Sequence, residues 1–307
     1  MAAARKKGSI GIIGLGIMGG AFARHLAAAG WHVLGFDVDK SLKRVMTRAG
    51  VEFVGSVNEL AEKVPVMITS LPHPSALDET VSALVEVKLT PKVVIETSTF
   101  ALDDKLRAEA ALNKAGHLIL DCPVSGTGAQ AAVKDIVIYA SGDAKAIAKW
   151  KPMLSDFSRG VHNVGDYGNG SKMKYVANLL VAVHNVASAE AMVLGIKSGL
   201  DPHQMVELIS SGAGTSRMFE MRAPMMADDD YTKATMKVHI WQKDMDVIGR
   251  FAAKLGVPVP TFAATLPIYA AAQSMGYGMQ DTAAVCAVIE RMAAVKRKKG
   301  KAIRRKR

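Results

Sequence analysis

A glycine-rich turn near the start of the chain is the sequence feature that most restricts the fold. The turn lies directly after a β-rich run, Ser9–Ile13, and opens an amphipathic stretch, Met18–Gly30. A G-x-G-x-x-G pattern in that context is typical of dinucleotide-binding domains. Its first glycine permits a tight turn, its second lets a pyrophosphate approach the backbone, and its third lets the helix pack closely on the strand. The residues predicted to bind the cofactor here are Gly14, Leu15, Gly16, Ile17, Met18 and Gly19.

Short β-rich runs alternate with amphipathic helical stretches through the first half of the chain. The runs predicted as strands are Ser9–Ile13, His32–Phe36, Val66–Ser70, Val93–Thr97, His117–Asp121 and Ile136–Ser141. Such alternation predicts an α/β fold of the Rossmann type, with a doubly wound parallel sheet and helices on both of its faces. Residues 1–167 are therefore predicted to form an NAD-binding domain.

The pattern changes after about Gly165, where strand signals give way to helical ones. The stretch from Ser171 to Ser198 contains no proline and a single glycine, and as a helix it would be about 42 Å long. Four further helices are predicted at Pro202–Ser211, Lys233–Leu255, Pro260–Met275 and Asp281–Lys296. Residues 168–295 are therefore predicted to form an all-α domain for substrate binding and oligomerisation, joined to the first domain by the long helix.

An acidic residue follows the second predicted strand. Asp37 lies 23 residues after Gly14, close to the interval at which Rossmann domains carry an acid that binds the adenosine ribose hydroxyls. A carboxylate there would repel a 2′-phosphate, so NAD is predicted in preference to NADP. Asp37 is alternatively a turn or cap residue, with Asp39 in its place. Three nearby basic residues leave NADP possible: Lys40, Lys43 and Arg44.

The net charge of +11 is concentrated at the C-terminal end. Nine of the 39 basic residues lie between Lys296 and Arg307 with no acid among them, and the other 30 nearly balance the 28 acidic residues. A nucleic-acid-binding domain carries its basic residues on a folded face. Residues 296–307 are therefore predicted to be a disordered basic tail, with weak contact to polyanions as the alternative.

Composition favours a soluble, cytoplasmic protein. The chain has only two cysteines, Cys122 and Cys286, too few for a disulfide framework and compatible with a reducing compartment. The short basic N-terminus is followed by no apolar signal region, and no apolar run reaches the roughly 18 residues of a membrane span. No metal is expected, since the histidines show no metal-ligand spacing with acids or cysteines.

A lysine and an asparagine stand near the junction of the two predicted domains. Lys174 and Asn178 are four residues apart, so they share one face of the predicted long helix. In isolation such a pair is most often a solvated face, because lysine side chains are mostly exposed. Ligand sites concentrate at domain junctions, and this location favours a functional site instead.

Four motifs of this chain resemble, in order, those of the β-hydroxyacid dehydrogenases. That family includes 3-hydroxyisobutyrate dehydrogenase and, more distantly, 6-phosphogluconate dehydrogenase. The motifs are the glycine turn 14–19, the segment Asp121-Cys122-Pro123-Val124-Ser125-Gly126, the G-x-G-x-x-x-K-x-x-x-N pattern of Gly168, Gly170, Lys174 and Asn178, and the pair Lys243-Asp244. The resemblance runs from about Ser9 to about Ala294, and it implies a Rossmann domain followed by an α-helical domain.

The resemblance also implies an activity, the NAD(P)-dependent oxidation of a small β-hydroxy acid to a semialdehyde or keto acid by hydride transfer. It implies that Lys174 is the general acid/base, that Asn178 holds the substrate, and that Ser125 and Gly126 bind its carboxylate. Lys243 would lie near both the substrate and the nicotinamide. Two further loops are expected to touch the cofactor, Leu71-Pro72 and Ser98-Thr99.

The chain departs from the family pattern beside the substrate segment. The family usually has two glycines after its serine, whereas here Gly126 is followed by Thr127. A later glycine pattern of the family is replaced by the stretch that begins at Gln130. Both residues are predicted to add polar groups at the edge of the pocket, with Thr127 among those that bind the substrate. These changes leave the identity of the substrate open and the type of reaction intact.

Two other functions remain open at this point. A non-catalytic or dual-role homologue would bind nucleic acid or chromatin, but such chains are expected to lack the catalytic lysine that this chain retains as Lys174. An imine reductase would commonly carry another proton donor at that position. The family commonly forms homodimers or homotetramers, for which the long helix offers a natural contact surface.

Overall fold

The computed structural model describes residues 7–297, and its first part is built on a six-stranded parallel sheet. The strands are β1 Ser9–Ile13, β2 His32–Phe36, β3 Val51–Phe53, β4 Val66–Thr69, β5 Val93–Glu96 and β6 Leu118–Asp121. Their order across the sheet is β3-β2-β1-β4-β5-β6. The connection from β3 to β4 therefore reverses the direction of winding between β1 and β4, which is where doubly wound sheets bind their ligands.

Helices connect these strands, and several begin at residues that cap them. They are α1 Ile17–Ala28, α2 Lys43–Arg48, α3 Val57–Lys63, α4 Pro74–Glu86, α5 Leu102–Lys114, α6 Gly128–Ala132 and α7 Ala144–Ser155. The side chains of Ser56 and Asp143 accept hydrogen bonds from the first turns of α3 and α7, which satisfies amide groups that would otherwise lack partners. Pro74 occupies the first turn of α4, where its missing amide hydrogen costs nothing.

Both faces of the parallel sheet are buried. Ile10 and Ile12 of β1 point into one hydrophobic cluster, where Phe22 of α1 stacks on Phe157 with ring centroids 4.6 Å apart. Ile13 points into a second cluster on the opposite face. Continuous apolar strands of this kind require helices on both sides, so the doubly wound α/β prediction is confirmed.

A second, three-stranded sheet follows the parallel one. It consists of β7 Val124–Ser125, β8 Val137–Ala140 and β9 Gly160–Asn163, with β7 antiparallel to β8 and β9 parallel to it. The predicted strand Ile136–Ser141 is therefore real but belongs to this smaller sheet. Strands β3, β7 and β9 were not predicted. β3 and β7 have only three and two residues, and β9 contains a single apolar residue, so none of them shows a recognisable apolar run.

The predicted long helix is present as α8, Asn169–Ser198. The chain divides inside it into two compact units, Met1–Ala177 and Asn178–Arg307, rather than after Tyr167 as expected. By length and composition alone α8 would be able to cross a membrane, and 44% of its most apolar window is buried inside the protein. No unbroken apolar run marks this property in the sequence, and core helices of globular proteins share it.

The described part of the second unit is built from helices. These are the remainder of α8, α9 Pro202–Ser210, α10 Arg217–Asp228, α11 Val238–Lys254, α12 Pro260–Ala272 and α13 Val285–Met292, with short helical turns at Gln273–Tyr277 and Thr282–Ala284. The all-α prediction is confirmed. Helix α10 was not predicted as a separate element.

Asp281 explains why α11 begins later than predicted. Its Oδ2 accepts hydrogen bonds from the backbone amides of Thr235 (2.7 Å) and Met236 (3.1 Å), so these residues do not enter α11. Its Oδ1 accepts from the amide of Ala283 (2.9 Å) and from Nε of Arg222 (3.0 Å). Arg222 and Asp281 are both buried. One ion pair thus joins three chain segments of the second unit.

Most of the predicted basic tail, residues 298–307, lies outside the described residues. Arg297 is described, and the prediction of disorder is wrong for it. Its Nε donates to Glu290 (2.7 Å) and its Nη1 to the carbonyl of Ala227 (2.9 Å). A guanidinium at the C-terminal end of α10 satisfies carbonyl groups that have no partner within the helix.

Replacing Arg222 by methionine tests the buried pair. The change leaves the Asp281 carboxylate buried without its cation, and it should lower the free energy of unfolding of the second unit by about 3–5 kcal/mol at pH 7. The matched control is Arg250→Met, which removes the exposed ion pair with Asp246 and should cost under about 1 kcal/mol. Unfolding free energies are measured in urea. If the two variants lose equal amounts, the Arg222–Asp281 pair does not stabilise the second unit as proposed.

The same variant has an expected pH dependence. Burial raises the pKa of Asp281, but Arg222 and the hydrogen bonds to the carboxylate outweigh it, and the net shift is downward. A carboxyl group with a lowered pKa in the folded state stabilises the protein above its unfolded pKa of about 3.9 and loses that contribution as the pH falls below it. The difference in stability between wild type and Arg222→Met should therefore narrow below about pH 4.

Candidate active site

The glycine turn lies between β1 and α1, beside the point where the sheet reverses its winding. Gly14 has φ +88°, and a Cβ on it would lie 2.2 Å from the carbonyl oxygen of Ser70. A Cβ on Gly19 would lie 1.9 Å from the carbonyl oxygen of Gly14. Glycine is therefore required at both positions, by backbone conformation at the first and by close packing at both.

The start of α1 is suited to an anionic ligand. A Cβ on Gly16 would meet no atom within 4 Å, so its backbone faces open space. No side chain caps α1 at Gly16, and its first turn carries no acid. Amide groups at a helix start that no side chain caps, together with the helix dipole, favour phosphate binding. The residues present thus fit the pyrophosphate of a dinucleotide.

Asp37 is held against the glycine turn. Its Oδ2 accepts a hydrogen bond from the amide of Leu15 at 2.6 Å, and its Oδ1 accepts one from the amide of Asp39 at 2.8 Å. The alternative residue, Asp39, instead caps a short helical turn through Ser41. Hydrogen bonds from Ser41 lower the pKa of Asp39. Of the two acids, Asp37 is the one whose carboxylate contacts the turn.

The two loops expected to contact the cofactor meet at the carboxyl ends of β4 and β5. The amide of Leu71 donates to the Oγ of Ser98 at 2.8 Å, which joins the Leu71-Pro72 loop to the Ser98-Thr99 loop. The amide of Ser98 in turn donates to Glu96 at the end of β5 (2.8 Å). Sequence reasoning placed both loops correctly after strands, and the structure brings them together.

The predicted carboxylate-binding residues lie in a tight loop after β6. Ser125 ends β7, and Gly126 has φ +140° with Ile136 so close that a Cβ would lie 2.6 Å from its Cγ2. Thr127 and Gln130 form a capping box at the start of α6: the amide of Thr127 donates to Oε1 of Gln130 at 3.0 Å. Nε2 of Gln130 donates to Asp135 at 3.1 Å. These polar side chains bond to one another within the loop, an arrangement that stabilises the loop itself.

The beginning of α8 belongs to the first unit and is packed tightly against the ends of β6 and β8. A Cβ on Gly170 would lie 2.5 Å from the carbonyl oxygen of Tyr139 and 2.6 Å from that of Asp121. The amide of Gly170 donates to the Oγ of Ser141, and the amide of Ser171 donates to Oδ2 of Asp121. Lys174 follows within the next turn, and its side chain is buried with 8% exposure. The glycine pattern of this motif thus fixes the helix start from which Lys174 projects.

A buried ion-pair network in the first unit was not found from the sequence. Lys105 of α5 pairs with Glu96 and Asp121, and all three side chains have no exposed surface. The signal was present, because Lys105 shares the buried face of α5 with Ala108 and Leu112 at spacings of three and four residues. A lysine on the apolar face of a helix requires buried acidic partners.

In the second unit the predicted residues cluster on α8 and α11. Nδ2 of Asn178 donates to Oδ2 of Asp244 at 2.8 Å, and both residues are buried. Lys243 lies beside this pair and is partly exposed, with its Nζ 3.9 Å from the carboxylate of Asp244. Sequence reasoning named Asp244 only as part of a motif, whereas the structure gives it a defined contact with Asn178.

Cys122 and Cys286 are both buried free thiols. Burial raises the pKa of both thiols, that of Cys286 to about 12, so neither is an activated nucleophile. Within residues 7–297, no group of three His, Cys, Asp or Glu side chains is placed to share a metal ion.

Two family descriptions match almost the whole chain. The NAD-binding domain of 6-phosphogluconate dehydrogenase matches residues 9–165, and the NAD-binding domain of NADP-dependent 3-hydroxyisobutyrate dehydrogenase matches residues 168–289. Together they cover the unit that carries the glycine turn and most of the helical unit.

Individual relatives agree with this family. The chain is 32% identical to L-threonate dehydrogenase of Cupriavidus necator over 281 residues, which cover 90% of this chain and 94% of the relative. It is 29% identical to 2-(hydroxymethyl)glutarate dehydrogenase of Eubacterium barkeri, over 93% of this chain and 96% of the relative. The crystal structure of 3-hydroxyisobutyrate dehydrogenase from Salmonella typhimurium superposes with a TM-score of 0.82 at 30% identity, and covers 91% of this chain and 99% of that one. With the glycine turn, the parallel sheet and the helical second unit in place, the chain belongs to the β-hydroxyacid dehydrogenase family and is an NAD(P)-dependent oxidoreductase that acts on the CH–OH group of a hydroxy acid.

Proposed function

We propose that Lys174 is the general acid/base of this dehydrogenase and that its substrate is a short β-hydroxy acid. The observation that carries the proposal is the placement of a buried lysine in the second turn of α8, directly after a helix start fixed by Asp121 and Ser141. A proton-transferring group must be held in one position relative to the reacting atoms, because orientation supplies much of the rate enhancement.

The reaction divides between a hydride and a proton. A bound oxidised nicotinamide would supply the acceptor for the hydride that leaves the carbinol carbon of the substrate. Lys174 takes the hydroxyl proton in the direction of oxidation, and as an ammonium it returns the proton to the carbonyl oxygen in reduction. We assign Ser125 and Gly126 to the substrate carboxylate, and Lys243 to the substrate and the nicotinamide. We also assign Thr127 to the substrate, and its capping box with Gln130 holds the loop that carries it.

Asn178 is assigned to substrate orientation. It lies one helical turn beyond Lys174 in α8, and the hydrogen bond from its Nδ2 to Asp244 restricts how its amide can rotate. A polar side chain held in one rotamer positions a ligand without paying the entropy of being ordered on binding. We therefore assign Asp244 the role of holding Asn178.

For the cofactor we propose NAD in preference to NADP. The Asp37 carboxylate at the end of β2 would hydrogen-bond the adenosine ribose hydroxyls and would repel a 2′-phosphate. An exposed cleft beside it is lined by Lys40, Ser41, Lys43, Arg44, Thr47 and Arg48. These basic side chains provide the charge that an NADP phosphate would need, so NADP remains a usable second cofactor.

The state of assembly and the location in the cell are also proposals. Helix α8 exposes Leu180 (50%) and Leu194 (74%), large apolar side chains of the kind that subunit contacts cover, and we propose a homodimer or homotetramer. The two cysteines are buried free thiols, which suits a reducing cytoplasm. We propose that residues 296–307 contribute at most weak contacts to polyanions and that catalysis does not need them.

A screen of short hydroxy acids tests the proposed substrate class. Purified protein is assayed by NADH absorbance with 3-hydroxyisobutyrate, glycerate, threonate and related 2- and 3-hydroxy acids, each with NAD and with NADP. We expect turnover with at least one β-hydroxy acid and a preference for NAD. Turnover of cyclic imines in the absence of any hydroxy-acid activity would overturn the proposal.

Lys174→Ala is expected to lower kcat by a factor of about 100 to 10,000, the contribution typical of general acid–base catalysis. Binding of NADH, followed by fluorescence, should be unchanged. The matched control is Lys172→Ala, two residues earlier in α8, which removes an exposed side chain that donates to Asn169. The control should turn over normally. Wild-type turnover in Lys174→Ala would show that Lys174 is not the general acid/base.

Asp37→Asn tests the basis of cofactor choice. The asparagine keeps an oxygen that can accept from Leu15 but removes the negative charge. The ratio of kcat/KM for NAD to that for NADP should fall by about tenfold, which corresponds to about 1.4 kcal/mol of discrimination. Asp39→Asn is the control. It should leave the ratio of kcat/KM for NAD to that for NADP unchanged, because Asp39 caps a neighbouring turn. The assignment of Asp37 fails if the two variants behave alike.

A further inference from the structure

We propose that Lys105 is a positioning residue, which ties the loops that hold the cofactor to the helix start that places Lys174. The inference rests on the proposed function, because it takes those loops and Lys174 as the working parts of the site. Lys105 itself is fully buried and contacts neither substrate nor cofactor. Nothing in the sequence motifs points to it.

Three groups from the ends of two strands, β5 and β6, converge on the ammonium of Lys105. Its Nζ donates to Oδ1 of Asp121 at the end of β6 (2.9 Å) and to the carbonyl oxygen of Ser98 after β5 (2.8 Å). It also pairs with the carboxylate of Glu96. An ammonium has three hydrogens to donate, and each of the three has an acceptor here. Lys105 therefore fixes the relative positions of the ends of β5 and β6.

One arm of the network leads to the cofactor loops. Ser98 is held at its carbonyl oxygen by Lys105 and at its amide by Glu96 (2.8 Å). Its Oγ then accepts the amide of Leu71 in the neighbouring loop at 2.8 Å. A displacement of Lys105 would thus be passed directly to both loops expected to touch the dinucleotide.

The other arm leads to α8. Both carboxylate oxygens of Asp121 accept hydrogen bonds from Ser171. Oδ2 accepts one from the backbone amide of Ser171 at 2.7 Å, and Oδ1, which also accepts from Lys105, accepts one from Oγ of Ser171 at 2.9 Å. Ser141 donates to the same carboxylate and accepts the amide of Gly170 at 2.9 Å. The carboxylate of Asp121 therefore caps the start of α8, three residues before Lys174.

The positive charge of Lys105 is needed to keep the carboxylates of Glu96 and Asp121 close together. One buried cation stands between two buried carboxylates, and the remaining negative charge lies at the N-terminal end of α8, where the helix dipole stabilises it. Burial lowers the pKa of Lys105, but the charges of Asp121 and Glu96 outweigh it and the net shift is upward, so the lysine stays protonated. Without it, Glu96 and Asp121 would repel one another in a site that excludes water.

A double variant tests the proposal without changing the net charge of the buried site. Lys105→Met removes the cation, and Glu96→Gln removes one of its two carboxylates, so the single negative charge at α8 is kept. We expect a folded protein in which the Kd for NADH rises about tenfold and kcat falls about tenfold. These losses follow because the loops and the start of α8 are no longer held together. The KM for the hydroxy acid should change much less than kcat.

The matched control is Arg222→Met, which removes another buried cation from an ion pair but touches none of the proposed site residues. Assayed well below its melting temperature, this variant should keep the wild-type kcat and Kd. An equal loss of activity in the control would overturn the proposal, because the effect would then follow from lost stability alone. Wild-type kcat and Kd in the folded double variant would also overturn it.

If the double variant does not fold, Glu96→Gln alone replaces it. This change keeps Lys105 and Asp121 paired and weakens only one arm, so a rise of about two- to threefold in the Kd for NADH is expected, and an unchanged Kd overturns the proposal. The binding measurement needs no turnover. Its failure can therefore be told apart from a failure of the proposed function, which is decided by the turnover of Lys174→Ala.

Discussion

The parallel arrangement of the six-stranded sheet is the constraint on which the site in the first unit depends. Because all six strands run in the same direction, the carboxyl ends of β1, β4, β5 and β6 lie on the same side of the sheet. The glycine turn, the loops after β4 and β5 and the segment after β6 are therefore neighbours, although they are far apart in sequence. Backbone bonds hold this side of the sheet together, such as those from Gly14 to Phe36 and from Ser70 to Ile13 (both 2.9 Å).

Sequence patterns were sufficient where one local rule decides the structure. The turn at Gly14 needs a positive φ, the strands of the sheet are largely apolar runs, and α8 is a long stretch without proline and with few glycines. Each of these signals lies within a short window of the chain. The fold class, the glycine turn and the long helix could therefore be predicted before the structure.

Predictions failed where a distant side chain decides the local structure. The residues before Val238 have a helical pattern, yet their amides bond to Asp281, more than forty positions further along the chain. The partners of Lys105 lie on two strands that the sequence places apart. No periodicity within a segment reports a contact made by another segment.

The two cysteines give the native protein a property useful for spectroscopy. Cys122 and Cys286 are both buried, and burial shifts the pKa of each thiol upward, so little reactive thiolate is present at neutral pH. Alkylating reagents will modify these thiols only as fast as the surrounding structure opens. A single cysteine engineered on the surface would therefore react much faster than the two native thiols. A fluorophore could be attached at that one position without removal of the native cysteines.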